Sequence, residues 1–257
     1  MCSRDSIVPV TGPAVTARRI DLALAAAWPA AEAATEGGWL LRANGGVTRR
    51  ANSALALGAS CDPEAVRRWF DRHGLPARVQ LVPSSPPGLA GRLRGDGWQE
   101  GDGGCWLVTA PVDACSRLTA SHALTMRDGP SPAWIDTWWA VSPRGGARER
   151  AIAEAILGRA PVPRGFVLAS APDGAPLGCA LGVVSQGVLV IESCATLPEA
   201  RRRGVCRTLV GGLGRWARSA GADIAALTVE RDNALGCATW EALGFVQRGR
   251  VDYLVLT

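Results

Sequence analysis

Lysine is absent. All 28 basic residues are arginine, in a chain of 257 that also carries 31 glycines and 17 prolines. That bias is the mark of GC-rich codons, so arginine abundance alone is no argument for function. Histidine is nearly absent too, with only His73 and His122. A Ser-His-Asp or Cys-His arrangement needs one of them. Neither lies beside a recognisable nucleophile and no G-x-S-x-G elbow occurs, which disfavours hydrolase chemistry. The eight cysteines, at positions 2, 61, 105, 115, 179, 194, 206 and 237, include no C-x-x-C pair and stand at zinc-finger spacing from neither histidine. No metal is therefore expected, and most cysteines read as small buried apolar residues. No apolar run approaches the ~20 residues of a membrane-crossing helix, so no membrane partner is expected. Residues 1–16 lack the apolar core of a signal peptide and read as a flexible tail, which makes the cytoplasm the expected location.

What remains is a globular composition, 47% hydrophobic and 20% charged, with a net charge of +5. The charge is dispersed: 13 Arg face 11 acidic residues up to position 120, and 15 face 12 beyond it. Aromatic residues are not interleaved with it, so nucleic acid is not an expected partner. The length accommodates two units of about 120–130 residues. Helical spacing is read over 17–34, then two short strands (38–43, 51–57) around Asn44-Gly45-Gly46. A helix capped by Asp62 with Pro63 at its first position follows, then a strand at 78–82, a short helix at 87–97 and a strand at 105–110. In the second half come a strand at 123–126, helices near 134–141 and 147–157, and three hairpin-connected strands (165–171, 177–184, 188–196). The chain closes with a helix (204–220), a strand (224–229), a helix (233–243) and a strand (251–256). This predicts an α/β fold with a mixed sheet covered by helices, organised as 17–112, a connection over 113–120, and 121–257.

The strongest local feature joins a β-branched strand to an amphipathic helix through Pro198-Glu-Ala-Arg-Arg-Arg-Gly-Val-Cys-Arg-Thr-Leu209. Gly204, Val205 and Cys206 sit at the helix start, where free backbone N–H groups and the positive end of the dipole hold anions. Arg201, Arg202, Arg203 and Arg207 add charge suited to a phosphate-rich ligand. A solvated basic helix start is the plain alternative.

The pattern Arg201-x-x-Gly204-x-Cys206 after a strand resembles the pyrophosphate loop of the GCN5-related N-acetyltransferases, the GNAT superfamily. Cys206 stands where a glycine or alanine is usual. A second stretch, Leu227-Thr-Val-Glu-Arg-Asp-Asn233 leading to Trp240-Glu-Ala-Leu-Gly-Phe245, is similar to the family's other motif. The resemblance covers 121–257. It implies acetyl-CoA as cosubstrate and direct acyl transfer to a primary amine, expected to be that of a small molecule. It further implies a V-shaped gap between strands 189–196 and 224–229, where backbone groups of Cys194, Ala195 and Thr196 pair with the pantetheine arm. Asn233 would cap its helix and contact that arm. Glu192, the one carboxylate of its strand, would be the base; an ion pair with a nearby arginine is its other reading. The family's tyrosine falls on Trp240, which lines the acyl pocket but offers no titratable proton. That departure leaves open a non-catalytic acyl-CoA-binding or interaction module. Tyr253, the single tyrosine, reads as structural.

In the first half, the stretch from Gly37 to Ser53 resembles two-part actinobacterial proteins whose amino-terminal half is a degenerate copy of the same fold, giving a tandem GNAT-like acyl-CoA N-acyltransferase fold. One cofactor site is expected, in the second half. Arg42, Asn44, Thr48, Arg49, Arg50 and Asn52 form a polar cluster read either as facing the acceptor pocket or as turn residues and solvated arginines. Trp134, Trp138 and Trp139 share a helix, and of Trp138 and Trp139, which point in different directions, one is expected in the core and one toward the cleft. The acceptor's identity is not legible, and a homodimer is compatible with the sequence. If Arg201 and Arg203 hold the pyrophosphate, replacing both with Ala weakens CoA more than pantetheine in calorimetric titration; equal losses would remove the phosphate role.

Overall fold

The computed structural model describes residues 13–143 and 145–256. The expected tail at 1–16 lies outside them up to position 12, and from Pro13 the chain is helical. The first half runs α1 (Pro13–Ala27), β1 (Glu32–Glu36), β2 (Trp39–Ala43), β3 (Ala54–Ala56), α2 (Pro63–Arg72), β4 (Ala77–Leu81), α3 (Leu89–Gly95), β5 (Gln99–Glu100) and β6 (Cys105–Pro111). The second runs α4 (Val112–Ser116), β7 (Ala123–Arg127), α5 (Pro132–Val141), α6 (Ala147–Arg159), β8 (Arg164–Ser170), β9 (Pro176–Ser185) and β10 (Val188–Thr196). It ends with α7 (Val205–Ser219), β11 (Ile224–Glu230), α8 (Ala234–Ala242) and β12 (Val246–Leu256). The helix read over 17–34 stops at Ala27. Pro29 supplies no N–H to continue it, and the next residues form β1, an edge strand antiparallel to β2. Asp62 does cap α2, its carboxylate accepting from the Glu64 N–H at 3.0 Å.

The strands make one sheet in the order β1-β2-β3-β4-β12-β6-β11-β10-β9-β8-β7. Its centre repeats itself. The parallel pair β3 and β4 is bridged by α2, the parallel pair β10 and β11 by α7, and each unit then adds a helix and a closing strand. Those closing strands are exchanged. β6 ends the first half but runs along β11, from Ile224 opposite Pro111 to Glu230 opposite Cys105. β12 ends the second half but runs along β4, from Asp252 opposite Leu81 to Leu256 opposite Ala77. β6 and β12 also pair with each other. Segments 17–112 and 121–257 thus share a sheet, and the connection at 113–120 begins within α4, which lies against α7. Glycine permits that approach: a Cβ at Gly214 would lie 2.6 Å from the Ser116 nitrogen and one at Gly211 2.5 Å from the Leu118 carbonyl oxygen.

Three cores follow from this layout. On one face of the second-half sheet, α7 contributes Val205, Leu209 and Leu213. On the other, α1, α5 and α6 contribute Leu24, Trp134, Trp138, Ile156 and Leu157, with Trp28 just past the end of α1. The Trp134 indole N–H is satisfied by the Ala180 carbonyl at 3.2 Å, as burial of a tryptophan requires. The first half closes around Trp39, Val66, Phe70 and Leu93, with Leu254 of β12 completing it. No helix among the described residues is long and apolar enough to cross a membrane. Leu107 of β6 is buried in the second core, with Ala226 and Val251. Leu107→Ala is expected to cost about 2–5 kcal/mol, in a single urea transition followed by far-ultraviolet circular dichroism and tryptophan fluorescence. Two separated transitions would contradict a shared core.

Candidate functional site

β10 and β11 hydrogen-bond only from Val188 opposite Ile224 to Val190 opposite Ala226. Past that point β10 bends. Its register on β9 shifts between Glu192 and Ala195, and Ser193 takes a φ of +50°. An extra residue of this kind turns a strand away from its neighbour, while β11 stays paired to β6 along its length. The splay opens a cavity of about 680 Å³, walled by Ile191–Cys194 of β10 and Leu227–Glu230 of β11. Opposite stand first-half residues: Trp28, Thr48, Arg49, Arg50, Arg78 and Gln80.

Glu192 lies in this wall, gripped by Arg50 in a fork of 2.8 and 2.7 Å. The two side chains are 10% and 15% exposed. Burial works against the Arg50 cation, but the Glu192 carboxylate outweighs it and holds the guanidinium above its ordinary range. Arg50 also stacks over Trp28, 5.4 Å from the ring centre. Arg49 pairs with Glu230 at 2.9 Å. Asn52 builds the loop that presents them: its side-chain oxygen accepts from the backbone of Asn44 and Gly46, and its amide donates to the carbonyls of Val47 and Thr48. Thr48, held at a φ of +64°, accepts from the Trp28 indole at 3.1 Å. The polar cluster thus divides: Thr48, Arg49 and Arg50 face the cavity, while Arg42, Asn44 and Asn52 are buried scaffold.

The anion-binding candidate adjoins this cavity. Gly204 precedes α7 with a φ of +80°, and a Cβ there would stand 2.8 Å from the Ser121 hydroxyl. The N–H groups of Val205, Cys206 and Arg207 belong to the first turn, which has no intrahelical acceptors. Arg201, Arg202, Arg203 and Arg207 are exposed around it. The Cys206 sulfur is 3.8 Å from that of Cys194, a cavity residue, so loop and cavity meet. The two thiols share this contact, which raises Cys194 and lowers Cys206. At the corresponding helix start of the first half, the Asp62 carboxylate itself caps the end of α2.

The remaining expected residues distribute as follows. Ala195 and Thr196 pair with Cys179 and Gly178 of β9, their other edge unpaired by β11. Asn233 caps α8, accepting from Gly236 at 2.8 Å, and Trp240 packs edge-on to Phe245 at 5.1 Å; both line the cavity. Trp138 is at once core and cavity wall, while Trp139 is half-buried outside it. Tyr253 also lines the cavity, its phenol pushed up by burial. Trp28, Arg78, Gln80 and Cys105 escaped the sequence reading. Two polar residues on one face of a half-buried strand, Arg78 and Gln80, were the available signal. Among the described residues no three His, Cys, Asp or Glu side chains converge as metal ligands would. Because Arg50 leaves Glu192 buried and unpaired when removed, Arg50→Met is expected to destabilise by about 3–5 kcal/mol in urea unfolding. Adding Glu192→Leu should recover most of it; additive losses would deny the coupling.

The family model described as "Probable histone acetyltransferase Rv0428c C-terminal" matches residues 15–254. The uncharacterized N-acetyltransferase YobR of Bacillus subtilis (strain 168) is 29% identical over 239 residues, 89% of this chain and 94% of that protein. An aminoglycoside N(6')-acetyltransferase type 1 of Klebsiella aerogenes is 30% identical over 131 residues, 47% of this chain and 86% of that one. Among solved structures, a GCN5-related N-acetyltransferase from Kribbella flavida superposes with a TM-score of 0.67 over 94% of both chains at 19% identity, a likeness of fold. With a family match spanning nearly the whole described chain and a cavity opened by a splayed strand pair, this protein belongs to the Rv0428c C-terminal family of GCN5-related N-acetyltransferases.

Proposed function

We propose that this N-acetyltransferase moves the acetyl group of acetyl-CoA directly to a primary amine of a small molecule, in the cavity between β10 and β11. The observation that carries the reading is the splay itself: an open strand edge, with an anion-binding helix start at one end and a walled chamber at the other. Its volume lies in the range of small-molecule sites, roughly 300–1,000 Å³. First-half loop residues line the side opposite β10, which favours a small acceptor over a polymer such as the histone of the family's description. The aminoglycoside acetyltransferase among the relatives acts, by its name, on a small molecule. The cytoplasmic setting expected from the sequence is part of the same reading.

In this scheme the free edge of residues 191–196 accepts the pantetheine amides as an added strand, and the start of α7 with Arg201, Arg202, Arg203 and Arg207 takes the pyrophosphate. Glu192 receives the proton that the amine loses as its nitrogen attacks the thioester carbon. Both carboxylate oxygens already accept from Arg50, but each keeps a further lone pair, so a bridging water carries the proton without breaking the fork. Trp240 shapes the acyl end of the chamber, and water returns a proton to the departing thiolate.

Product detection by mass spectrometry tests the reading, since the chain's own thiols would react with a thiol reagent. Acetylation of small amines is expected; acetylation of lysine-rich peptides alone would overturn the small acceptor. Glu192→Gln is expected to lower kcat about 100-fold or more, with acetyl-CoA affinity within twofold of the parent. An unchanged kcat would remove Glu192 as the base.

A further inference from the structure

Among the described residues, five charged side chains line the cavity: Arg49, Arg50, Arg78, Glu192 and Glu230. Four are matched, Arg50 with Glu192 and Arg49 with Glu230. Arg78 is not. Its contact is one donated bond to the Asn52 carbonyl at 3.3 Å, and Asp102 reaches it only as a distant charge. Behind this wall lies a second unmatched cation. Arg42 is 2% exposed and donates to the Ser53 carbonyl, the Ser53 hydroxyl and the Gln80 side-chain oxygen at 3.1, 2.9 and 2.7 Å. Its Nη1 has no partner, and among the described residues no carboxylate forms a salt bridge with it. Gln80 connects Arg42 to the cavity and donates at 3.5 Å to the Tyr253 phenol.

A cation drawn out of water without a counter-charge is costly, and this wall carries two, Arg42 buried and Arg78 half-buried. Desolvation, aided by the neighbouring Arg50 cation, pushes Arg42 down to about 10. Desolvation and the neighbouring Arg49 likewise hold Arg78 below its ordinary range. The Tyr253 phenol supplies no balancing charge, because burial keeps it protonated. A polycationic acceptor would aggravate this imbalance; an anion would relieve it.

We propose that the acceptor is a primary amine bearing an anionic group, a carboxylate or a phosphate, which seats on Arg78 and Gln80 while its amine faces β10. The inference rests on the small-molecule reading above and names the acceptor's class. Arg78 is the specificity residue, and Arg42 a positioning residue that acts through Gln80.

The test is steady-state acetyl transfer from acetyl-CoA, with products followed by mass spectrometry and acetyl-CoA binding by calorimetry. One arm pairs ω-amino acids of graded length with their carboxamides. A second pairs O-phosphoethanolamine with ethanolamine, separating phosphate from carboxylate. A third presents spermidine and kanamycin. The acid-bearing member of at least one pair is expected to exceed its neutral partner about tenfold or more in kcat/KM. Arg78→Gln should bring that ratio near one by raising KM, whereas Arg78→Lys should retain part of it. If Arg78→Gln does not fold, Gln80→Glu, which places a carboxylate on the same wall within reach of Arg42, should cut the ratio well below that of the parent. Equal use of neutral or cationic amines, or a preference that survives Arg78→Gln, overturns the inference and leaves the small-molecule reading standing. Acetyl-CoA binding with no amine acetylated in any arm removes that reading and this inference together.

Discussion

The exchange of closing strands is the constraint on which everything else depends. By lying between β11 and β12, β6 places Leu107 and Cys105 in the second half's structure. By running along β4, β12 brings Leu254 to the first half's core and Tyr253 to the cavity. A β-strand at a sheet edge presents unpaired polar groups, and here each half covers the other's edge. The cavity forms because β11 is held by this arrangement while β10 bends away at its bulge. Without β6 along β11, the two walls would have no fixed separation.

The same exchange makes the site composite. Arg50 comes from a first-half loop and Glu192 from a second-half strand, and their fork ties the halves across the cavity. Its worth is less in net stability than in geometry: buried ion pairs roughly break even against apolar substitutes, but lose heavily when half is removed. The loop carrying Arg50 is pinned from beneath by Asn52, so the guanidinium is delivered by a hydrogen-bonded frame rather than a flexible turn. The proposed anion recognition at the other end would need less machinery, because the start of α7 supplies N–H groups by its own geometry.

Local signals in the sequence located most elements of the second half, since hairpin turns such as Asp173-Gly174 and the amphipathic stripe of α7 act over a few residues. They also located the loop at 201–206 and singled out Glu192, with an arginine pair as its other reading. The identity of the arginine was out of reach, because Arg50 is 142 positions away in sequence. The end of α1 falls short of the helix read to position 34 because alanine favours a helix locally, while beyond Pro29 pairing with β2 overrides that preference. Arg78 and Gln80 looked like ordinary strand residues. Their role emerges only when strand order is known, and strand order here is long-range. The stretch at 113–120 reads as a connection, yet its first residues belong to α4, and nothing local shows that the strands on either side have crossed over.

That crossing also has a consequence for how the chain acquires its shape during synthesis. β4 emerges from the ribosome long before its partner β12, and β6 long before β11. Neither half can complete its own sheet while the rest is still being made, so the early strands wait with open edges. Pairings of such sequence separation are slow to form, and exposed edges in waiting segments invite association with other chains. The interlock that makes the finished enzyme one cooperative body therefore makes the nascent chain dependent on protection, which a pair of independently folding halves would not need.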